Sequence, residues 1–263
     1  MGTTGVKALA VSSTGEVIAR AEEEYSLSTP QPGRAEQDPG DWWRASEAAL
    51  ARLGVEPAGI GLSGQMHGLV CLDERGRVLR PAILWNDQRT AAECAEIEER
   101  VGLERLIALT GNRALTGFTA PKLLWLRRHE PEIYARIRHV LLPKDFVRLR
   151  LTGVHAIDVA DASGTLLFDV AHRRWSDDLL EALELPEEWL PPTYESPDVP
   201  GAPSTGDQAA AALAWASTVP GRSPSRSGPP ASSSPRCRPS QPIGRPACTP
   251  SATRCLGCGT RWA

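Results

Sequence analysis

The last acidic residue of this chain of 263 residues is Asp207. From residue 219 to the C-terminus there are nine prolines, eight serines and seven arginines, and no Asp or Glu. Such a segment buries too little apolar surface to offset the conformational entropy of ordering it, so it is expected to be disordered. Any packed core must come from the residues before it. Those residues carry all 32 acids, so the formal net charge of −3 averages an acidic body with a basic tail.

Within the body, residues 6–11, a Ser-Thr-Gly turn at 13–15 and residues 16–20 read as a β-hairpin, with residues 21–28 as a third antiparallel strand. After the loop QPGRAEQDPGD, Asp41 is placed to N-cap a helix over residues 42–53. Apolar runs at 59–62 and 69–72 have strand length and flank SGQMHG, and a second hairpin is expected at 73–79 around the turn ERGR. The spacing of Ala91, Cys94, Ile97 and Val101 predicts a helix over 90–101, with further helices at 121–129, 131–136, 145–151 and 175–183. Strands come first and then alternate with helices, the order of an α/β fold with a mixed sheet.

No basic region followed by an apolar run opens the chain and no stretch is long enough to span a bilayer, so a cytoplasmic protein without a membrane partner is expected. Cys71 and Cys94 stand alone in the body and read as buried free thiols. The tail's Cys248, Cys255 and Cys258 make an incomplete zinc set, and its arginines come without interleaved lysines or aromatics. Neither zinc nor nucleic acid is expected there.

Five stretches carry side chains suited to chemistry. Gly2, Thr3, Thr4 and Gly5, followed by Lys7, form a small hydroxyl-bearing turn of the kind that lets backbone N–H groups approach a phosphate, although a plain hairpin turn explains them too. In SGQMHG, Met66 and His67 between glycines suit a polyhydroxylated ligand, and equally a turn with a structurally satisfied histidine. ILWNDQR sets Trp85, an aromatic platform, beside Asn86 and Asp87, while Asn-Asp also suits an N-cap for the helix that follows. Arg113 sits between two turns, where arginine is ordinarily just solvated. In GDQAA the small residues after Asp207 allow close backbone approach near a helix N-terminus, with the carboxylate able to accept a hydroxyl proton. No metal-ligating set is read from any of the five.

In order along the chain, GTTGVK, EQDP followed by WW, SGQMHG, LRPAILWNDQR, TGFTAPKLLW, LLPKDFVRLRLTG, DASGTLLFDV and GDQAA resemble the xylulokinase branch of the FGGY family of carbohydrate kinases. The resemblance runs from residue 2 to about residue 213. It implies a ribonuclease-H-like, actin-like α/β architecture of two lobes, a mixed sheet with flanking helices in each, with sugar and ATP in the cleft between them. It also implies Mg²⁺-dependent transfer of the γ-phosphoryl group to the primary hydroxyl of a ketopentose such as D-xylulose. By the same resemblance Met66 and His67 fall where the family binds the sugar, with Trp85, Asn86, Asp87 and Arg113 around it. Asp207 falls on the general base, and Gly2 to Gly5 with Lys7 face the phosphates. The resemblance leaves a homodimer open.

Three departures from the family pattern stand out. The family's first motif opens with an apolar strand leading to a Mg²⁺-associated Asp, which here would precede Met1; a start codon assigned too far downstream would explain this. Between Pro203 and Gly206 only Ser204 and Thr205 remain of a longer connection whose strand delivers the catalytic Asp, and small displacements of a catalytic group are expensive. The nucleotide-binding second lobe is missing. Residues 1–203 therefore read as one sugar-binding lobe, 204–213 as the remnant of the catalytic loop, and 214–263 as an out-of-frame tail. Suitable codons for residues 214–235 permit GVGIDRPGPVSVTLGTSGVVFA in the frame that starts at each third base. Those for 247–263 permit VHTFCHALPGLWHAMG, and both peptides are similar to xylulokinase segments. The expectation is an ATP-dependent sugar kinase by family, weak or inactive as this truncated chain; the alternative is a non-catalytic sugar-binding or regulatory protein that kept the lobe.

Overall fold

The N-terminal alternation folds into a single long hairpin. In the computed structural model, which describes residues 1–202 and 204–206, β1 (Gly5–Val11) and β2 (Val17–Glu24) pair antiparallel from Gly5↔Glu24 to Val11↔Val17. These residues belong to one of the chain's two units, Met1–Ser223; the expected disordered tail lies outside the described residues. The separate third strand expected over residues 21–28 is not formed. β2 runs on through Ala21, which pairs with Ala8, because nothing in VIARAEEE turns the chain, and Ser28 makes only an isolated bridge to Glu36.

β3 (Glu36–Gln37) leads into α1 (Pro39–Leu53), whose N-cap is Asp38 and not Asp41. Pro39 at the first helical position has no N–H to satisfy and a φ already suited to a helix, so the helix starts three residues earlier than expected. The Asp38 carboxylate accepts from Gly40 N–H at 2.8 Å, while Asp41 sits in the first turn and pairs with Arg44. Ala45 and Ala49 of α1 pack on Val6 and Ala21 of the hairpin.

β4 (Leu62–Gly64), β5 (Val70–Leu72) and β6 (Ala82–Ile83) follow; residues 59–61 are not in the strand that was expected over 59–62. The hairpin expected at 73–79 is present: Leu72 bridges Val78, and Gly76 turns the chain at φ 71°. Next come α2 (Ala91–Val101), α3 (Leu103–Thr110), α4 (Thr119–His129), α5 (Pro131–Tyr134), β7 (His139–Leu141) and α6 (Pro143–Thr152). The chain continues through β8 (Ile157–Asp158), α7 (Val159–Ser163), β9 (Phe168–Asp169), β10 (Arg174–Trp175), α8 (Asp177–Leu183), β11 (Thr193–Tyr194) and β12 (Ser204–Gly206). Trp175, expected at the start of the last helix, instead pairs with Phe168 in a β ladder, and Ser176 caps α8 by accepting from Leu179 N–H.

Pairing is mixed, as expected for the class. β3–β6, β5–β7 and β9–β10 are antiparallel, whereas β4–β12 and β8–β11 are parallel. β5 lies between two apolar layers and alternates its side chains across them. Leu69 and Cys71 enter the larger cluster with Ile97, Leu123 and Phe168, while Val70 and Leu72 enter a second with Trp42 and Phe146. Burial on both faces explains an unbroken apolar run where an exposed sheet would alternate. Cys71 and Cys94 are free thiols, and burial pushes Cys71 up to about 12. Among the described residues no helix is long and apolar enough to cross a membrane.

Candidate functional site

β4 runs into the loop SGQMHG, which turns over three residues. Gly68 N–H donates to Met66 O at 2.8 Å across His67, whose φ of 62° is left-handed. This is a γ-turn of the rare positive-φ kind, held only where its surroundings force it. Pro143 supplies one such constraint, since a Cβ on Gly68 would stand 2.5 Å from its Cγ. Gly164 supplies another, because its missing Cβ would lie 2.3 Å from Cε1 of His67. The ring occupies that space, places Nδ1 2.8 Å from Gly164 O and meets Phe118 edge-on at 5.0 Å. A carbonyl only accepts, so Nδ1 carries a proton, and in the neutral ring Nε2 is the acceptor. The backbone oxygen of His67 is held by Lys122, whose Nζ donates to it at 2.8 Å and to Gly117 O at 2.6 Å. Lys122 is fully buried, and burial pushes its ammonium down to about 7.

A buried ionic cluster lies where α6, β8 and α7 meet. Lys144 Nζ stands 2.8 Å from Asp145, 2.7 Å from Asp158 and 2.8 Å from Asp161, and Arg148 reaches Asp145 at 3.3 Å. Three carboxylates around two cations would leave one negative charge out of water, so the cluster favours keeping a proton. Burial, opposed by Lys144 and reinforced by Asp145 and Asp158, pushes Asp161 up to about 7. Burial would lower Lys144, but the three carboxylates outweigh it and raise it. Asp161 Oδ1 has no hydrogen-bond partner among the described residues and points at β12: a Cβ on Gly206 would lie 2.6 Å from it. The same position is 2.8 Å from Met66 Cγ and 3.0 Å from Met66 Sδ. Met66 and Asp161 thus close on Gly206, the residue before Asp207; Asp207 itself lies outside the described residues.

β12 also corrects the expectation that the element leading to Asp207 is lost. Residues 204–206 form a strand paired in parallel with β4, Gly206 opposite Gly64. β4 supplies that pairing edge even though the connection from Pro203 is short.

Thr3 joins two further candidate stretches to this loop. Trp85 Nε1 donates to Thr3 Oγ1 at 3.2 Å, and Gln37, bonded to Gln65 at 3.1 Å, donates to Thr3 O at 2.6 Å. Gly2 N–H bonds Gly5 O, Thr4 O accepts from Tyr25 N–H, and Gly5 is a glycine because a Cβ would stand 2.6 Å from Glu23 O. Met1 N donates to Ser63 O at 2.7 Å, so the turn of Gly2 to Gly5 begins beside β4. Trp85 is half exposed, and Asn86 Oδ1 is buried with no hydrogen-bond partner among the described residues.

The remaining candidates are engaged elsewhere. Lys7 pairs with Glu22 across the hairpin at 3.1 Å, and Arg113 makes two 3.1 Å bonds to Glu98. Asp87 is buried, accepting from Ala35 N–H at 2.7 Å and from the Arg89 guanidinium at 2.9 and 2.7 Å. Burial would raise its carboxyl, but these bonds outweigh it and hold the group below its ordinary range. The expected Asn-Asp helix cap is therefore not made: Arg89 captures the carboxylate, and Thr90, the N-cap of α2, makes no side-chain cap bond.

A cavity of about 320 Å³ opens between β1, α1 and residues 59–63, with Val6, Leu62 and Val147 in its lining, and includes neither Met66 nor His67. Among the described residues no three His, Cys, Asp or Glu side chains stand together as metal ligands; the aspartates of the buried cluster close on Lys144 instead. Sequence reasoning passed over Lys122, Lys144, Asp161 and Gly164. One signal for Lys122 was present, a charged residue inside the apolar run of α4, which is buried from Thr119 to Leu126.

Residues 1–220 match the FGGY family of carbohydrate kinases, N-terminal domain. The chain is 49% identical over 207 residues to a xylulose kinase of Escherichia coli (strain K12), covering 77% of this chain and 42% of that protein. It is 42% identical over 208 residues to the Bacillus subtilis (strain 168) xylulose kinase, covering 76% and 42%. The crystal structure of xylulose kinase from Rhodospirillum rubrum superposes with a TM-score of 0.79 at 33% identity, over 84% of this chain and 50% of that one. The chain thus spans about two fifths of the length of the curated relatives it matches. With the mixed α/β architecture and the match across most of its length, this chain belongs to the FGGY family of carbohydrate kinases through that family's N-terminal domain.

Proposed function

We propose that this chain forms the sugar-binding lobe of an ATP-dependent kinase of a ketopentose, D-xylulose being the expected sugar, and that by itself it binds the sugar but transfers phosphoryl poorly. The observation that supports this reading is the approach of Met66 and Asp161 to Gly206, beside the pinned ring of His67 and one residue ahead of Asp207. The names of the xylulose kinase relatives support the choice of sugar.

On this reading Met66 and the ring of His67 pack against the sugar, and Trp85 and Asn86 border the same space. Asp207 takes the proton of the primary hydroxyl as its oxygen forms a bond to the γ-phosphorus of ATP. The bond between that phosphorus and the β,γ-bridging oxygen breaks, and ADP leaves. Gly2 to Gly5 lie toward the phosphates. Mg²⁺ would enter bound to the nucleotide and would neutralise charge on the phosphoryl oxygens; among the described residues no group of carboxylates is placed to hold it. Poor transfer is expected of residues 1–220 taken alone, because they match the family's N-terminal domain and the resemblance implies a nucleotide held between that domain and a second one.

The test is calorimetric titration of purified chain of verified mass with D-xylulose, alongside an ATP turnover assay. Saturable binding is expected, weakened roughly 10-fold or more in His67→Ala, equivalent to ~1.4 kcal/mol. Turnover is expected to be orders of magnitude below that of an intact relative. No saturable binding of any ketopentose would overturn the first half of the proposal, and turnover near that of the relative the second.

A further inference from the structure

We propose that Lys122 is a positioning residue of the sugar site: it holds the strained γ-turn that presents His67 and couples that turn to Trp85. The inference deepens the sugar-site reading and rests on it for its functional meaning.

Lys122 sits on α4 among Leu123, Leu124 and Leu126, in a segment with no exposed residue from Thr119 to Leu126. An apolar side chain of similar length would pack there without the desolvation that a buried amine suffers. Among the described residues Lys122 forms no ion pair, and its hydrogen bonds go to two main-chain carbonyls, His67 O and Gly117 O. A buried lysine bonded only to backbone is a poor stability device. It is well suited to fixing the relative position of two loops.

Those loops are the ones that frame His67. The first acceptor is the carbonyl of the residue at φ 62°, to which Thr119 Oγ1 adds a long 3.4 Å contact, so Lys122 is the closer of these two donors. The second acceptor, Gly117, precedes Phe118, on which the His67 ring rests edge-on. Gly117 also packs directly on Trp85, since a Cβ there would lie 2.7 Å from Trp85 O. One amine therefore sets the backbone of His67, the aromatic support under its ring and the backbone of the neighbouring tryptophan. Small errors in such placements are costly for function even where the fold tolerates them.

The experiment compares the wild-type chain with Lys122→Met and Lys122→Gln by thermal unfolding, D-xylulose titration and ¹⁵N NMR of the His67 ring. Lys122→Met is expected to fold, melting somewhat below wild type because His67 O and Gly117 O lose their shared donor. Its sugar dissociation constant is expected to rise roughly 10-fold, from loss of the bond that fixes the turn. Its His67 ring should lose the single Nδ1–H tautomer for a mixture, with Lys122→Gln, which keeps a donor, lying between. A folded Lys122→Met with wild-type affinity and an unchanged ring signature overturns the proposal. If neither variant folds, Lys122 is a stability element and the proposal is equally overturned. If wild-type chain binds no sugar, the sugar-site reading fails separately, and the ring signature still decides whether Lys122 positions His67.

Discussion

Asp161, Asp145 and Asp158 share two buried cations, and of the three Asp161 is the one aimed at β12. Its carboxyl titrates at about 7 in the folded chain against an ordinary 3.8. Between those values the native state holds a proton that the unfolded chain has released, so stability falls as pH rises. The contribution is fully present below pH ~4 and is lost as pH passes through ~7. Asp161→Asn carries a neutral side chain of the same shape and removes this dependence. Relative to wild type, its melting temperature should fall less between pH 4 and pH 7, and parallel profiles would show that another carboxylate, Asp145 first, keeps the proton. The same residue illustrates how much of the site was legible in the sequence. Met66 and His67 could be picked out because the glycines around them mark a turn of special geometry. Asp161 and Lys122 could not, since their meaning lies in Gly206 and His67, partners 45 and 55 positions away.

At the scale of single elements, α1 puts Asp38 where the sequence pointed to Asp41 as the cap. If Asp38 caps the helix, Asp38→Ala should lose about 1 kcal/mol in denaturant unfolding. Asp41→Ala should change stability by only a few tenths of a kcal/mol, because its partner Arg44 is largely exposed. The reverse order would return the cap to Asp41. Helices with a clear apolar stripe or a proline start were legible to within two residues: α2, α4, α5, α6 and α8. α3 and α7, of 8 and 5 residues, are too short for periodicity to stand out. The strands of two or three residues were hardest. β9 and β10 exist because Phe168 and Trp175 find each other, and β12 because β4 offers an edge, neither of which is local information.

For the whole molecule, the body and the tail raise different questions. The match to residues 1–220 ends close to where the last acidic residue gives way to proline, serine and arginine. We propose that a reading-frame slip after Leu213 produced that tail. Resequencing the locus across the codons for residues 203–263 should reveal a frame that encodes both kinase-like peptides, and codons that forbid either one would sink the idea. The parallel pairing of residues 62–64 with 204–206 also has a consequence in time. At ~5–20 residues per second of ribosomal synthesis, roughly 7–28 s separate the making of the two strands. During that interval β4 waits with one edge unpaired and Met66 without Gly206, so a nascent chain that stalls short of residue 204 would carry every other described strand and helix and still lack the wall behind its site.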